Sequence, residues 1–277
     1  MSIEDIIIQA LKEDVGSGDH SSLLSISTET QGKSKLLVKE NGVIAGVEIA
    51  LKVFEKVDAT LKVEVFIKDG EKVKIGDVVF EVSGKVQSIL TTERLVLNIM
   101  QRMSGIATTT AYYNSIIAGT NTRLLDTRKT TPNLRVLEKM AVRIGGGHNH
   151  RMGLYDMIML KDNHIDFAGG LKNALEKTNH YLKEKNISLQ IEIETRSIDD
   201  VKEALQLGGF HRIMFDNFTP KQVKEAVKLV NGAYETEASG GITTETLRAY
   251  AETGVDFISV GALTHSIKSL DLSLKAM

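Results

Sequence analysis

Between Thr127 and His164 the chain gathers the side chains most able to grip an anion. The stretch reads TRKTTP, then GGGHNHR, then GLYDMIMLKDNH, and it holds Arg128, Lys129, Arg143, His148, His150, Arg151, Lys161 and His164. The chain as a whole is nearly neutral, with 34 Lys+Arg against 36 Asp+Glu. A local excess of cations is therefore a feature of this stretch and not of the composition. An arginine offers a planar fork matched to carboxylate or phosphate, and a lysine offers a point charge. A solvated basic face would be the plainer explanation. Here the cations alternate with Gly, Asn and His and flank the apolar run Met157–Leu160, which points to a built site.

The elements that must position these groups follow a repeating grammar. Short apolar strands end in RLLDT (Asp126), MIMLK (Lys161), IEIE (Glu194), RIMFD (Asp216), YETEAS (Ser239) and FISVG (Gly261), each followed by a helical pattern. The last four ends fall 22, 23 and 22 residues apart, one strand and one helix per unit. That is the period of a β/α barrel, in which strand ends converge on one mouth. Thr127, Arg128, Lys129, Lys161, Glu194, Asp216, Ser239 and Gly261 are expected to meet there. Six units are clear, Val142-Arg143-Ile144 is a poor candidate for another, and a full eight-unit barrel is not supported.

At that mouth Glu194 and Asp216 end neighbouring strands, where they could hold Mg²⁺, bind ribose hydroxyls or face a developing cation. Capping of the next helix is the bland alternative, especially for Asp216 before Phe218-Thr219-Pro220. Glu192 shares the strand face of Glu194, so alternation leaves both open. Ser239-Gly240-Gly241 and Gly261-Ala262 form two glycine turns leading into helices, the usual phosphate cradle of such barrels. His265 follows closely. A metallohydrolase fits poorly, because the two histidines of GGGHNHR stand at i and i+2 and no HExxH occurs.

The N-terminal part reads differently. Residues 3–12 form an amphipathic helix closed by Gly16 and Gly18, and Asp19 with His20 belongs to a cap or turn. From Ser34 to Ile89 strands are expected, with a turn at Asn41-Gly42. The phrase DGEKVKIGDVVFEVSG resembles a lipoyl-type half-barrel but lacks the flanked lysine tip of a carrier, so it serves as scaffold. A long helix from about Thr92 to Ala118 carries Arg94 and Arg102 near one face. There is no cysteine, which rules out thiolate metal sites and thiol nucleophiles and suits a reducing cytoplasm. The acidic, periodic N-terminus is unlike a signal peptide, and the net charge of −2 draws in neither nucleic acid nor a membrane surface. A soluble cytoplasmic protein is expected.

Taken together, ERLVLNIMQRMSGIATTT, DTRKTTPNLR, GGGHNHRMGLYDMIMLKDNHI, IEIE, FDNF, ASGGI and SVGALTHS resemble the quinolinate phosphoribosyltransferases over nearly the whole chain. The resemblance implies an α/β protein with an incomplete α/β barrel of the type II phosphoribosyltransferase kind and an N-terminal α/β sandwich. It implies a sandwich domain over 1–105, a catalytic barrel over 106–265 and a tail over 266–277 returning to the first domain. The implied reaction joins quinolinate to 5-phosphoribosyl-1-pyrophosphate with loss of CO₂, with Mg²⁺ as cofactor. By motif position, Arg128, His150, Arg151 and Lys161 would bind quinolinate, and Lys129 and Lys161 would face pyrophosphate. Glu194 and Asp216 would serve ribose and metal, which settles the choice against Glu192. Ser239, Gly240, Gly241, Gly261, Ala262 and His265 fall in the phosphoribosyl loops, and Arg94 would reach a partner subunit in a dimer or hexamer. A paralogue of the ModD type with another acceptor, or an isomerase or aldolase using Lys161, is the rival reading.

Overall fold

The structure is a computed structural model and describes residues 1–277. The chain divides into two compact units, Met1–Ala111 with Lys129–Gly146 and Ala262–Met277, and Tyr112–Arg128 with Gly147–Gly261.

The first unit opens with α1 (Ile3–Val15), whose Ser2 and Asp5 form a reciprocal capping box and whose Ile6 and Ile7 are buried. Helix α2 (His20–Ser25) follows, with Asp19 as its N-cap accepting from the Ser22 amide. Asp19 and His20 thus serve a helix start, as the turn reading held. Strands β1 (Gln31–Val38) and β2 (Gly42–Val43) precede α3 (Val47–Val57), and β3 (Lys62–Val65), β4 (Lys72–Val73) and β5 (Val78–Lys85) precede the long α4 (Val86–Ile116). Asn41-Gly42 is not the expected hairpin turn: Gly42 opens β2, and the flanking runs do not pair with each other. β1 lies beside β5, and β2 pairs with β4. Helix α4 begins six residues before the expected Thr92. The chain leaves the sheet at Gly84 (φ 146°) and Lys85, so Val86–Ile89, expected as strand, form its first turn. Alternate residues of the sheet, Leu36, Val38, Phe80 and Val82, are fully buried with Phe54 and Met100 from the helices. Phe54 meets Phe80 edge to face at 5.7 Å between ring centres.

The second unit supplies β6 (Arg123–Leu125). Helix α5 (Arg135–Ile144) belongs to the first unit and takes up Val142-Arg143-Ile144, which are therefore no strand. Then come β7 (Ile158–Leu160), α6 (Asp162–Ala168), α7 (Leu171–Lys185), β8 (Ile191–Thr195), α8 (Ile198–Leu207), β9 (Arg212–Asp216), α9 (Pro220–Val230), β10 (Glu235–Ser239), α10 (Thr244–Ala251) and β11 (Phe257–Ser259). All six strands run parallel in the order β6-β11-β10-β9-β8-β7. His148 adds a single parallel bridge to Leu125, extending the sheet beyond β6. The barrel is incomplete: its sheet ends at β7 on one side and at His148 on the other. Both faces of the strands are covered, as parallel sheets require, and every residue of β8 is buried.

The chain ends in α11 (Ala262–His265) and β12 (Leu272–Ala276), which pairs antiparallel with β1. Helix α4 runs unbroken through residue 105, and α5 and α11 both group with the first unit.

Candidate active site

Each strand of the parallel sheet delivers a polar side chain at or just past its C-terminal end. Asp126 follows β6, Lys161 follows β7, Glu194 and Thr195 end β8, Asp216 ends β9, and Ser239 ends β10. Register confirms that these ends are neighbours: Ser239 stands beside Asp216, and Glu194 beside Met214.

The basic stretch is anchored from beneath by Asp126, which is fully buried. One of its oxygens accepts from the His150 amide at 2.9 Å and the other from the Asn149 side chain. The loop that carries Arg151 is thereby tied to the end of β6. The Arg151 guanidinium donates to the Met157 carbonyl at 3.2 Å. Burial and the nearby charge of Arg128 both hold Arg151 below its ordinary pKa. Two guanidinium groups kept close enough to repel are poised for a ligand with two negative charges.

On the other side of the mouth, Lys161 Nζ lies 3.1 Å from a Glu194 oxygen. Asp216 is pushed above the usual carboxylate range by burial and by the charge of Glu194, with Lys161 pulling the other way. Asp216 also accepts from the Asn217 side chain at 2.6 Å. A carboxylate whose proton affinity is raised by a second carboxylate suits a divalent cation or a positively charged sugar carbon, so this pair fits the implied Mg²⁺. An acid raised in the fold holds its proton more tightly than it does in the unfolded chain. Its ionisation therefore lowers stability as pH rises past the ordinary carboxylate range. In metal-free buffer Asp216→Asn is expected to raise Tm by roughly 2 °C at neutral pH. That gain should vanish below pH ~4, where the wild-type acid is also neutral. A Tm that falls at neutral pH would contradict the repulsion.

The glycine turn after β10 has the form of a cradle. Gly240 adopts φ 98° and Gly241 φ 59°, values that L side chains rarely reach. A Cβ at Gly240 would run into the Asn217 carboxamide and come within 2.7 Å of its backbone nitrogen, whereas Gly241 faces open space. Gly240→Ala should thus cost about 1–3 kcal/mol through clash and strain together, and Gly241→Ala clearly less. Equal melting temperatures for the two variants would refute the close approach.

Deeper in the second unit lies a charged layer. Glu192, Glu237 and His150 are buried, with His150 Nε2 2.9 Å from Glu192 and 3.5 Å from Glu237. Arg212 pairs with Glu237 at 3.2 Å and Glu235 at 2.8 Å and lies over the Phe257 ring, with Arg123 also over that ring. Burial opposes charge on His150, yet the two carboxylates push it up to about 9. Burial and Glu237 push Glu192 up to about 7. The Arg151 amide donates to Nδ1 at 2.7 Å, which leaves the ring proton on Nε2. Glu237 and Arg212 did not stand out in the sequence. The available signal was a glutamate in the interior of each of the two strands that flank β9, IEIE and ETEAS.

The remaining candidates fall in the first unit. Lys129 is exposed, and its carbonyl accepts from Thr264 Oγ1 at 2.8 Å. Arg94 is exposed on α4, whereas Arg102 is a tie within that unit. It binds Glu138 at 2.8 Å, Thr131 at 3.2 Å and the Thr264 carbonyl at 2.8 Å. Ala262 and His265 lie on α11, His265 with its Nδ1 2.6 Å from Ser266 Oγ.

Family models decide the lineage. The N-terminal domain model of quinolinate phosphoribosyl transferase matches residues 8–104, and the C-terminal domain model matches 106–275. The chain belongs to the quinolinate phosphoribosyltransferase family. It is 46 % identical to the chloroplastic nicotinate-nucleotide pyrophosphorylase [carboxylating] of Arabidopsis thaliana, covering 99 % of this chain and 82 % of that one. To quinolinate phosphoribosyltransferase [decarboxylating] 1b of Nicotiana tabacum it is 45 % identical, with the same coverage. The crystal structure of NadC from Streptococcus pyogenes superposes with a TM-score of 0.93 at 40 % identity, over 99 % of this chain and 97 % of that one. No helix of this phosphoribosyltransferase is long and apolar enough to cross a membrane.

Proposed function

We propose that this protein transfers the phosphoribosyl group of 5-phosphoribosyl-1-pyrophosphate to quinolinate with decarboxylation. The products are nicotinate mononucleotide, pyrophosphate and CO₂, a step of de novo NAD biosynthesis. The single observation that carries this choice of acceptor is the pair Arg128 and Arg151, like charges close enough to repel.

In this reading Arg128 and Arg151 hold the two carboxylates of quinolinate, and His150 fixes the Arg151 backbone. The ring nitrogen is then directed at the anomeric carbon. As that carbon loses its bond to pyrophosphate, positive charge grows on the ribose, and Glu194 and Asp216 stabilise it. Lys129 and Lys161 neutralise the departing pyrophosphate. Ser239, Gly240, Gly241, Gly261, Ala262 and His265 receive the 5-phosphate. Once the ring nitrogen is ribosylated, the carbon–carbon bond to the 2-carboxylate breaks. The electron pair left on the ring carbon lies beside the positively charged nitrogen and then takes up a proton. Glu194 and Asp216 would hold Mg²⁺, which when bound supplies charge neutralisation for the pyrophosphate.

An acceptor comparison tests the reading. Quinolinate should be used and nicotinate rejected, because only the diacid satisfies both arginines. Equal use would favour a ModD-type acceptor range. Borohydride trapping of a sugar phosphate on Lys161 would favour an aldolase.

The protein acts in the cytoplasm as a homodimer or higher assembly, with exposed Arg94 completing the partner subunit's site. Its lack of cysteine supports a reducing compartment. Arg94→Ala alone should be nearly inactive. Mixing it with a Glu194→Ala protein should restore about a quarter of the sites by random pairing of subunits. Failure to recover any activity after subunit exchange would count against the shared site.

A further inference from the structure

Of the layer formed by Glu192, Glu237, His150 and Arg212, only His150 has a task in the reaction as derived above. Its three acid and imidazole groups lie within 4.8 Å of one another, a spacing that a metal ion could bridge. The tautomer argues otherwise. Nδ1 of His150 accepts the Arg151 amide, so the ring proton occupies Nε2, the atom a metal would need. Arg212 already brings a cation to Glu237.

We infer that the cluster is a positioning device for the diacid half of the site. Glu192 and Glu237 face His150 Nε2 at 2.9 Å and 3.5 Å as ion-pair partners, and Nδ1 accepts the Arg151 amide. Through Arg151, whose guanidinium is also held by the Met157 carbonyl, the buried layer sets the clamp on quinolinate. Glu192 is thus a positioning residue for quinolinate, although it lies only two residues from Glu194. The inference rests on the functional reading given above. Glu192 is fully buried in the unit's interior, so it acts on substrate only through His150.

The direction of the effect separates this from a general structural role. Glu192→Leu keeps the volume and deletes the carboxylate that faces Nε2, whereas Glu192→Gln retains a polar oxygen at that position. Glu192→Leu should raise the KM for quinolinate about tenfold, the loss of one buried polar contact, with kcat and the KM for 5-phosphoribosyl-1-pyrophosphate nearly unchanged. Glu192→Gln should return the quinolinate KM close to wild type. An equal rise in both KM values would route the effect through Glu194 and overturn the proposal. So would a Glu192→Gln variant as impaired as Glu192→Leu.

A second measurement needs no variant and no turnover. Nitrogen-15 NMR of the histidine rings in the wild-type protein should find His150 protonated on Nε2 and bare on Nδ1. A proton on Nδ1 would overturn the proposal, because that atom could not then hold the Arg151 amide. Wild-type protein that fails to use quinolinate would sink the functional reading, and the NMR result would still decide the positioning claim.

Discussion

Replacing Arg151 with alanine is expected to lower kcat/KM for quinolinate by about 10²–10³-fold, the cost of stripping one partner from a buried charge pair. The KM for 5-phosphoribosyl-1-pyrophosphate should change little, because in this reading Arg151 binds quinolinate whereas Glu194 and Asp216 serve the ribose. The fold should not suffer. Burial and Arg128 already hold Arg151 below its ordinary pKa, so its charge is a strain on the empty protein. Relief of that repulsion offsets the lost hydrogen bond to the Met157 carbonyl, so a melting temperature close to wild type is expected beside the lost activity. Arg151→Lys should recover only part of the rate, since a point charge lacks the fork that matches a carboxylate. Steady-state kinetics with each substrate varied in turn, together with a thermal melt, checks both halves. Near wild-type turnover would remove the clamp from the mechanism.

The second large effect is on stability. Arg212→Met is expected to cost about 3–5 kcal/mol, because it leaves Glu237 buried with Glu192 and without its counter-charge. In a chain of this size that corresponds to a fall in Tm of roughly 10 °C. The loss arises from an unpaired charge and not from lost packing, so a second substitution should repair it. Arg212→Met combined with Glu237→Leu should recover a substantial part of the Tm, a coupling that independent sites would not show. Additive losses in the double variant would mean that Arg212 matters for its stacking on Phe257 instead.

Much of this was legible in the strand-and-helix grammar. The strand tips Lys161, Glu194, Asp216 and Ser239 could be located because each closes an apolar run at a regular spacing, and the parallel sheet places them in register. The open barrel was legible for the same reason, as only six runs had the pattern. The seventh contact was not. It comes from His148, a single bridge inside a glycine-rich loop, where no apolar run exists to signal a strand. The start of α4 was missed because Val86 and Ile89 have the preferences of strand residues, and tertiary packing overrides them. The buried layer was the deepest omission. An inward glutamate such as Glu237 looks in sequence like any exposed acid, and only the assembled strands reveal that it faces His150 and Arg212.

The most direct test follows both products of one turnover. Quinolinate labelled in its 2-carboxylate is incubated with the protein, Mg²⁺ and 5-phosphoribosyl-1-pyrophosphate, and released CO₂ and pyrophosphate are measured together. Equal amounts of each, appearing only when both substrates are present, are the predicted result. Pyrophosphate without CO₂, or release of neither, would contradict a site in which paired arginines present a diacid to an activated ribose.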